Sequence, residues 1–529
     1  MKIISLIFVR ISILMALFAV TTLFAETVQS DICVLGGTSA GVIAAVQAAR
    51  MGKTVTLITY NAHLGGMTSS GLGWTDFGHV DNNTGDYIRG VAREFYDRVG
   101  EKYYGKSKTQ FTFEPHVAEQ VFDEMIKQAG VKVYTNQNLV SVSRRGQAIN
   151  SIKTDAGSVF RAKMFIDATY TGDLMAAAGV SYTIGRESTN QYHESLNGVR
   201  LPNSDFTNYN VDPYMVTGNP ASGLLPLIAS GGPGSPGDAD ASVQAYTYRL
   251  CMTAVAANKI PITAPGHYNP AQFELLARYV HAMQAHGSLL SPSTFLTIQK
   301  VPNAKTDINN RDALSTDFIG ESDTYAQADE STREKIRQAH KDYEQGFLYF
   351  LATDLRVPAN LRAGMQRLGY CKDEFTDNAG WPYEFYVREA RRMISDYVMT
   401  QSNVFKEIIV PDSIGEAGYF TDSHYCQRVV IEGQVRNEGN ARGNIKEPYP
   451  ISYRSIIPKA SECSNLAVPV CVSASHTAYC SIRMEPVYMI LGQSAATAAA
   501  LAIDENVPLQ KLNYSELRAH LLADGQRLN

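Results

Sequence analysis

Short apolar runs separated by glycine turns mark the start of the folded sequence, and their spacing predicts a strand, a turn, a helix and a second strand. "ICVLG" (32–36) is too short for a helix and apolar throughout, as a strand covered on both faces of a parallel sheet must be. "AGVIAAVQAARMG" (40–52) is rich in alanine and closes on Gly52, which predicts a helix with a glycine stop. Its small residues at 40, 41, 44 and 45 let it lie close on a sheet. "TVTLIT" (54–59) follows as the next strand. Two amphipathic runs, around Val91–Val99 and Val117–Gly130, predict helices. "VKVYT", "NLVSVSRR", "AINSIKTDAG" and "VFRAKMFIDAT" then read as strands and hairpins. Between 190 and 400 loops and helices alternate. A Gly/Pro/Ser-rich loop occupies 218–242, a long helix is expected over 324–352, and another over 385–400 that carries Arg388, Arg391 and Arg392. Near the end "NLAVPVCVSAS" is strand-like, and "MILGQSAATAAALAID" is a second small-residue helix in the style of the first. The pattern implies an α/β chain whose two ends share one Rossmann-like domain. The first part spans 26–190, an inserted α+β substrate domain spans 191–400, and 401–529 completes the first domain.

The turn itself carries chemistry. Gly36, Thr38 and Gly41 stand at the three glycine positions of G-x-G-x-x-G, with Gly37 and Ala40 between them. The first glycine permits a tight turn, the last permits close helix–strand packing, and the helix N-terminus offers free amides to a pyrophosphate. Thr38 departs from the pattern, and its hydroxyl is a candidate phosphate donor. A second departure follows: the acid that holds the adenosine ribose should stand about 20 residues on, but the strand ends at Thr59–Tyr60. Thr59 is left as the ribose candidate, with one hydroxyl where two oxygens need partners. "HLGGM" (63–67) then offers a glycine pair, Gly65 and Gly66, that lets the chain pass close beside a flavin, and "TSSGLGWTD" brings Trp74 and Asp76 into a polar loop.

With these stretches in hand, the chain resembles the FAD-dependent oxidoreductase family that contains many secreted bacterial proteins, some of them labelled xanthan lyase. The resemblance runs over about 30–529 and is carried by "GGTSAGVIAAVQAAR", "HLGGMTSSGLGWTDFG", "FIDATYTGDLMAAAGVSYTIGRE", "WPYEFYVREARRMISDYVMTQ", "DSHYCQR" and "SASHTAYCSIRMEPVYMILGQSAATAA", among others. It implies a glutathione-reductase-type FAD fold. It also implies that Gly36, Gly37, Thr38, Ala40 and Gly41 meet the pyrophosphate, that Thr59 takes the ribose position, and that Gly65, Gly66 and Met67 pass beside the flavin. Ala168, Thr169 and Asp173 would lie near the cofactor, and Gly492, Gln493 and Ser494 would open the last helix, whose N-terminus faces the flavin pyrimidine. The candidate catalytic groups are His476, Arg483, His424 and Arg388: a histidine to take a hydroxyl proton, an arginine to hold a carboxylate or a developing oxyanion. Each histidine has an ordinary structural alternative, and Arg388, Arg391 and Arg392 read equally as ion-paired scaffold.

Composition narrows the partners. The chain has 529 residues, 45% hydrophobic and 19% charged, with a net charge of -5 and no long charged run, so nucleic acid is not expected to bind. Seven cysteines include no C-x-x-C pair, so neither a zinc nor an iron–sulfur motif is indicated and no metal is expected. The first 25 residues read as a cleaved signal peptide, with Lys2 and Arg10 ahead of the apolar Ile11–Val20 and a small residue, Ala25, at the end. That points to a periplasmic or secreted protein with no membrane span after cleavage. The 29 tyrosines suit a carbohydrate face. Three readings follow: hydride transfer from a C–H/O–H centre of a small molecule or glycan to FAD and on to an unidentified acceptor; a polysaccharide lyase with a structural flavin; and a glycan-binding flavoprotein without turnover.

Overall fold

The computed structural model describes residues 26–78, 80, 84–200 and 206–528. The expected signal peptide lies outside the described residues. Strand β1 (Thr27–Leu35), helix α1 (Ser39–Arg50) and strand β2 (Val55–Ile58) form the unit read from the first apolar runs. Helices α2 (Gly90–Tyr104) and α3 (Pro115–Ala129) follow, and both end on a left-handed glycine, Gly105 and Gly130. Strands β3 (Lys132–Tyr134), β4 (Leu139–Arg145), β5 (Ala148–Thr154) and β6 (Val159–Asp167) complete the N-terminal part. The sheet runs β3-β2-β1-β6-β5-β4, parallel through β3, β2, β1 and β6 and antiparallel through the β4–β5–β6 meander.

A second, antiparallel sheet is built from β7 (Leu250–Thr253), β8 (Lys259–Pro261), β9 (Leu296–Val301), β10 (Lys305–Asn310) and β11 (Gly369–Cys371), in the order β8-β11-β7-β10-β9. The long helix α4 (Glu330–Thr353) belongs to the same part of the chain. The C-terminal part returns to the first sheet. Strand β12 (Leu466–Ala467) pairs in parallel with Phe165 and Ile166 of β6, beyond the residues that β5 covers. Only those two residues of the strand-like "NLAVPVCVSAS" form a strand. The short helix α5 (His476–Ile482) then leads into α6 (Glu485–Asp504).

Helix α6 is long and apolar enough to cross a membrane, but 94% of its apolar window is buried inside the protein. It packs on α1 so tightly that a Cβ on Gly492 would sit 2.3 Å from the Ala40 carbonyl oxygen. Two side-chain hydrogen bonds stitch the ends of the chain together: Gln47 Nε2 donates to Thr497 Oγ1, and Ser39 Oγ donates to Glu485 Oε2 at 2.5 Å. All seven cysteines are buried thiols. Cys33 packs in β1, as its apolar surroundings indicate.

The helix expected over 385–400 does not form. That segment is irregular except for Arg392–Met393, which pairs with Tyr182–Thr183. Its arginines reach separate partners: Arg388 pairs with Asp317, Arg391 with Asp173, and Arg392 with Glu187 and Glu389. In a helix, residues 388, 391 and 392 would share one face. Buried ion pairs reaching different elements override that local pattern.

Candidate active site

The turn between β1 and α1 is shaped by what has no side chain. Gly36 has φ +111°, and a Cβ there would meet the Ala168 backbone at 2.6 Å, so the turn lies flat against the end of β6. A Cβ on Gly37 would strike Thr59 Oγ1 at 2.6 Å, and one on Gly41 would lie 1.9 Å from the Gly36 carbonyl oxygen. The flattened turn borders a cleft of about 720 Å³. Six of the residues assigned to the cofactor from the sequence line it: Gly36, Gly37, Thr38, Thr59, Thr169 and Asp173. The first-turn amides of α1 have no intrahelical partners and carry the positive end of the helix dipole. A turn that glycines press flat against its neighbours, at the start of a helix that borders the cleft, fits the adenosine diphosphate half of FAD.

The other assigned residues take different places. Ala40 and Gly41 are buried in the packing of α1. Thr38 is the N-cap: its Oγ1 accepts from Gly41 N–H and donates to the Ala168 carbonyl at 2.8 Å. Its proton is therefore committed to the protein, which corrects the expectation that this hydroxyl donates to phosphate. Gly65 and Gly66 turn beneath Phe122 and Tyr170, where a Cβ would approach to 2.4 and 2.3 Å. The Met67 amide donates to Tyr170 OH. Asp173 is tied to Arg333 and Arg391.

Gly492, Gln493 and Ser494 do not open the helix expected to be last. A further helix, Tyr514–Ala523, follows α6, and α6 starts at Glu485, so these three lie mid-helix. Gln493 Oε1 accepts from Val91 N–H, and Ser494 Oγ donates to the Ile414 carbonyl, so they fasten α6 to its neighbours. The residue at the true N-terminus is Glu485, whose carboxylate accepts from Ser39, Thr68 and Tyr170. Pro486 at the first turn is the start signal that marks this boundary in the sequence.

Three of the four candidate catalytic residues come together in one buried chain of charges. Arg388 pairs with Asp317 at 2.8 Å, and Asp317 accepts from His424 Nδ1 at 2.9 Å. His424 Nε2 faces Asp422 at 3.4 Å, which also faces Arg483 at 3.4 Å. Arg388 and Arg483 both lie over the Tyr386 ring, and Arg483 donates to its hydroxyl. Burial works against the charge on Asp317, yet Arg388 and His424 hold its carboxyl below the usual carboxylate range. Asp422 is held down in the same way by His424 and Arg483. Asp76, from the loop that follows the glycine pair, accepts from Tyr419, and burial pushes it up to about 6. Among the described residues, Arg388 Nε and Nη2 and Arg483 Nε are buried donors with no protein acceptor. Asp317 carried no motif in the sequence, and Tyr386 lay in a stretch that carries the resemblance but had no role of its own.

His476 belongs to a different cluster. Its Nδ1 lies 2.8 Å from Glu389, which is also paired with Arg392. Burial disfavours charge on both, but their mutual attraction wins: His476 is pushed up to about 10, and Glu389 is held at about 2. At neutral pH this imidazole is a cation inside an ion pair, which is the wrong state for a general base. Gln244 joins the two clusters, donating to Glu389 and accepting from the His424 amide.

A conserved family pattern covers this arrangement from end to end. The FAD dependent oxidoreductase family matches residues 31–521, and the chain belongs to that family. FAD is its cofactor, and the parallel sheet with its glycine turn is a Rossmann-like FAD-binding fold. Among solved structures, local similarity is found to an L-proline dehydrogenase from P. horikoshii, at 18% identity over 32% of this chain and 26% of that chain, with a TM-score of 0.17. Similarity to NikD, described as an unusual amino acid oxidase, has 13% identity over 30% of this chain and 57% of that one, with a TM-score of 0.23. Similarity to Thermovibrio ammonificans THI4 has 18% identity over 30% and 66%, also with a TM-score of 0.23. No curated protein matches the chain. Membership rests on the match over 31–521.

Proposed function

We propose that this protein oxidises a C–H/O–H centre of a small molecule or glycan fragment at the Arg388–Asp317–His424–Asp422–Arg483 chain. The observation that carries the reading is the histidine held between two carboxylates, with an arginine paired to each. Bound FAD supplies the hydride acceptor. The protein's part is to position the donor and manage its proton. Asp317 accepts from His424 Nδ1–H and so fixes the ring, with Nε2, which faces Asp422, as the nitrogen that would exchange a proton. The unpartnered N–H groups of Arg388 and Arg483 are suited to a substrate oxygen that gains negative charge as its proton leaves. Glycine and threonine residues of the cleft, with the α1 N-terminus, would hold the diphosphate.

We further propose that the protein works after export through its N-terminal signal, and that its donor is a carbohydrate, in keeping with its many tyrosines. The electron acceptor would be a small molecule or a redox partner outside the cytoplasm. The test is anaerobic mixing of the purified holoprotein with a panel of sugars and uronates. Bleaching of the flavin by one member supports the reading. An unsaturated product with the flavin still oxidised would replace it with the lyase reading, and binding with neither change would replace it with the non-catalytic one.

A further inference from the structure

The sequence lacks an acid where the ribose of a dinucleotide is ordinarily gripped: Thr59 and Tyr60 follow the last residue of β2. The fold brings a carboxylate to the same place from 324 residues away. Glu384 lines the cleft together with Gly36, Gly37 and Thr59, and is 5% exposed. The Tyr60 hydroxyl donates to its Oε1. Among the described residues no other side chain donates to this carboxylate, and no Lys, Arg or His lies within ion-pair distance of it. The nearby arginines are engaged elsewhere. Arg333 is on Asp173, and Arg337 is on Glu330, Glu334 and the Tyr325 hydroxyl. A buried carboxylate whose donors are the Tyr60 hydroxyl and the Phe385 amide, with no cation beside it, on the wall of a cofactor cleft, is costly unless a ligand brings further donors to it.

We propose that Glu384 is the missing ribose acid. Its carboxylate accepts from the adenosine ribose hydroxyls of FAD, and Tyr60, two residues past the end of β2, holds it in reach. The inference rests on the FAD reading of the cleft. It also gives the cofactor a structural role. Glu384 stands four residues before Arg388, so the ribose would anchor the segment that carries the active-site arginine.

The test uses full-length protein stripped of flavin and titrated calorimetrically with FAD, ADP and 2′-deoxy-ADP. Burial pushes the Glu384 carboxyl up to about 7, so the titration is run on the alkaline side of that value. There a hydrogen bond to a charged acceptor is at stake, and the wild type should prefer ADP over 2′-deoxy-ADP by about tenfold or more. Glu384→Gln keeps the size and the Tyr60 partner. It should bind FAD about tenfold or more weaker and lose the preference for the 2′-hydroxyl. A wild type that binds both nucleotides alike, or a Glu384→Gln variant that keeps the preference, overturns the assignment of Glu384 and leaves the FAD reading intact. A wild type that binds neither FAD nor ADP overturns both. The 2′-deoxy comparison on the wild type needs no variant to fold.

Discussion

Replacing Gly492 by alanine sets two physical effects against each other. In an exposed helix this change stabilises, because alanine gains about 1 kcal/mol over glycine in helix propensity. Gly492 sits mid-helix in α6, against α1, and the new methyl would lie 2.3 Å from the Ala40 carbonyl oxygen, 3.0 Å from its carbonyl carbon and 3.1 Å from its Cα. All three are backbone atoms of a buried helix, so no side chain can swing away. Relief needs the two helices to part by roughly 1 Å in a close-packed interior. Overpacking of this kind costs about 1–3 kcal/mol, and a backbone obstacle places the cost at the upper end. After the propensity gain, a net loss of about 1–2 kcal/mol is expected. Because α1 also presents the glycine turn, the displacement should weaken FAD retention as well. Urea unfolding of the flavin-free variant, followed by FAD titration, measures both. A Gly492→Ala protein as stable as the wild type, or more so, would refute the helix-contact argument.

Other outcomes follow from the same structure. Glu389→Gln removes the anion from a buried cluster and leaves His476 and Arg392 facing a neutral amide, so stability should fall by about 3–5 kcal/mol at neutral pH. The sign of its pH dependence is fixed. The raised His476 contributes fully below its unfolded value of 6.5 and loses its contribution as pH rises through about 10, while the lowered Glu389 contributes fully above 4.5 and loses it as pH falls through about 2. The gap between wild type and variant should therefore narrow toward pH 10 in denaturant titrations. His424→Asn should slow flavin reduction by about 10²–10⁴-fold with FAD content unchanged, as single-turnover mixing would show. Cys251 and Cys371 are directly opposed across β7 and β11, with sulfurs 3.7 Å apart. On the proposal that the protein is exported, this pair should pass two electrons and two protons to a disulfide-carrying exchange partner, so non-reducing peptide mapping should find 251 and 371 joined. Two alkylatable thiols there would count against export to an oxidising compartment.

The parts of the fold that obey local rules were readable from the chain. A glycine turn between an apolar strand and an alanine-rich helix can be little else, and β1, α1 and β2 stand where their periodicity puts them. The amphipathic runs around Val91–Val99 and Val117–Gly130 were equally local, and α2 and α3 form there. The failures share one cause. Arg388, Arg391 and Arg392 look helical because their spacing is helical, but their partners Asp317, Asp173 and Glu187 come from other elements, and no window of sequence contains those pairs. Gly492 looks like a helix-opening glycine until its contact with Ala40 shows that its smallness serves helix packing. His476 and His424 are alike in sequence and differ in the structure. One is locked to Glu389 as a cation, and the other is suspended between Asp317 and Asp422. Glu384 was unreadable for the same reason, since its meaning depends on a cleft whose other wall lies more than 300 residues earlier.

This chain holds FAD at the Gly36–Thr38 turn, on a domain whose sheet and helix packing its C-terminal part completes. The most direct measurement is the flavin content of the full-length protein, read from its visible spectrum and from the compound released on heating. The account predicts one FAD for each chain, lost when Gly41→Ala drives a methyl into the Gly36 carbonyl. A colourless protein that releases no flavin and fails to take up added FAD would contradict it.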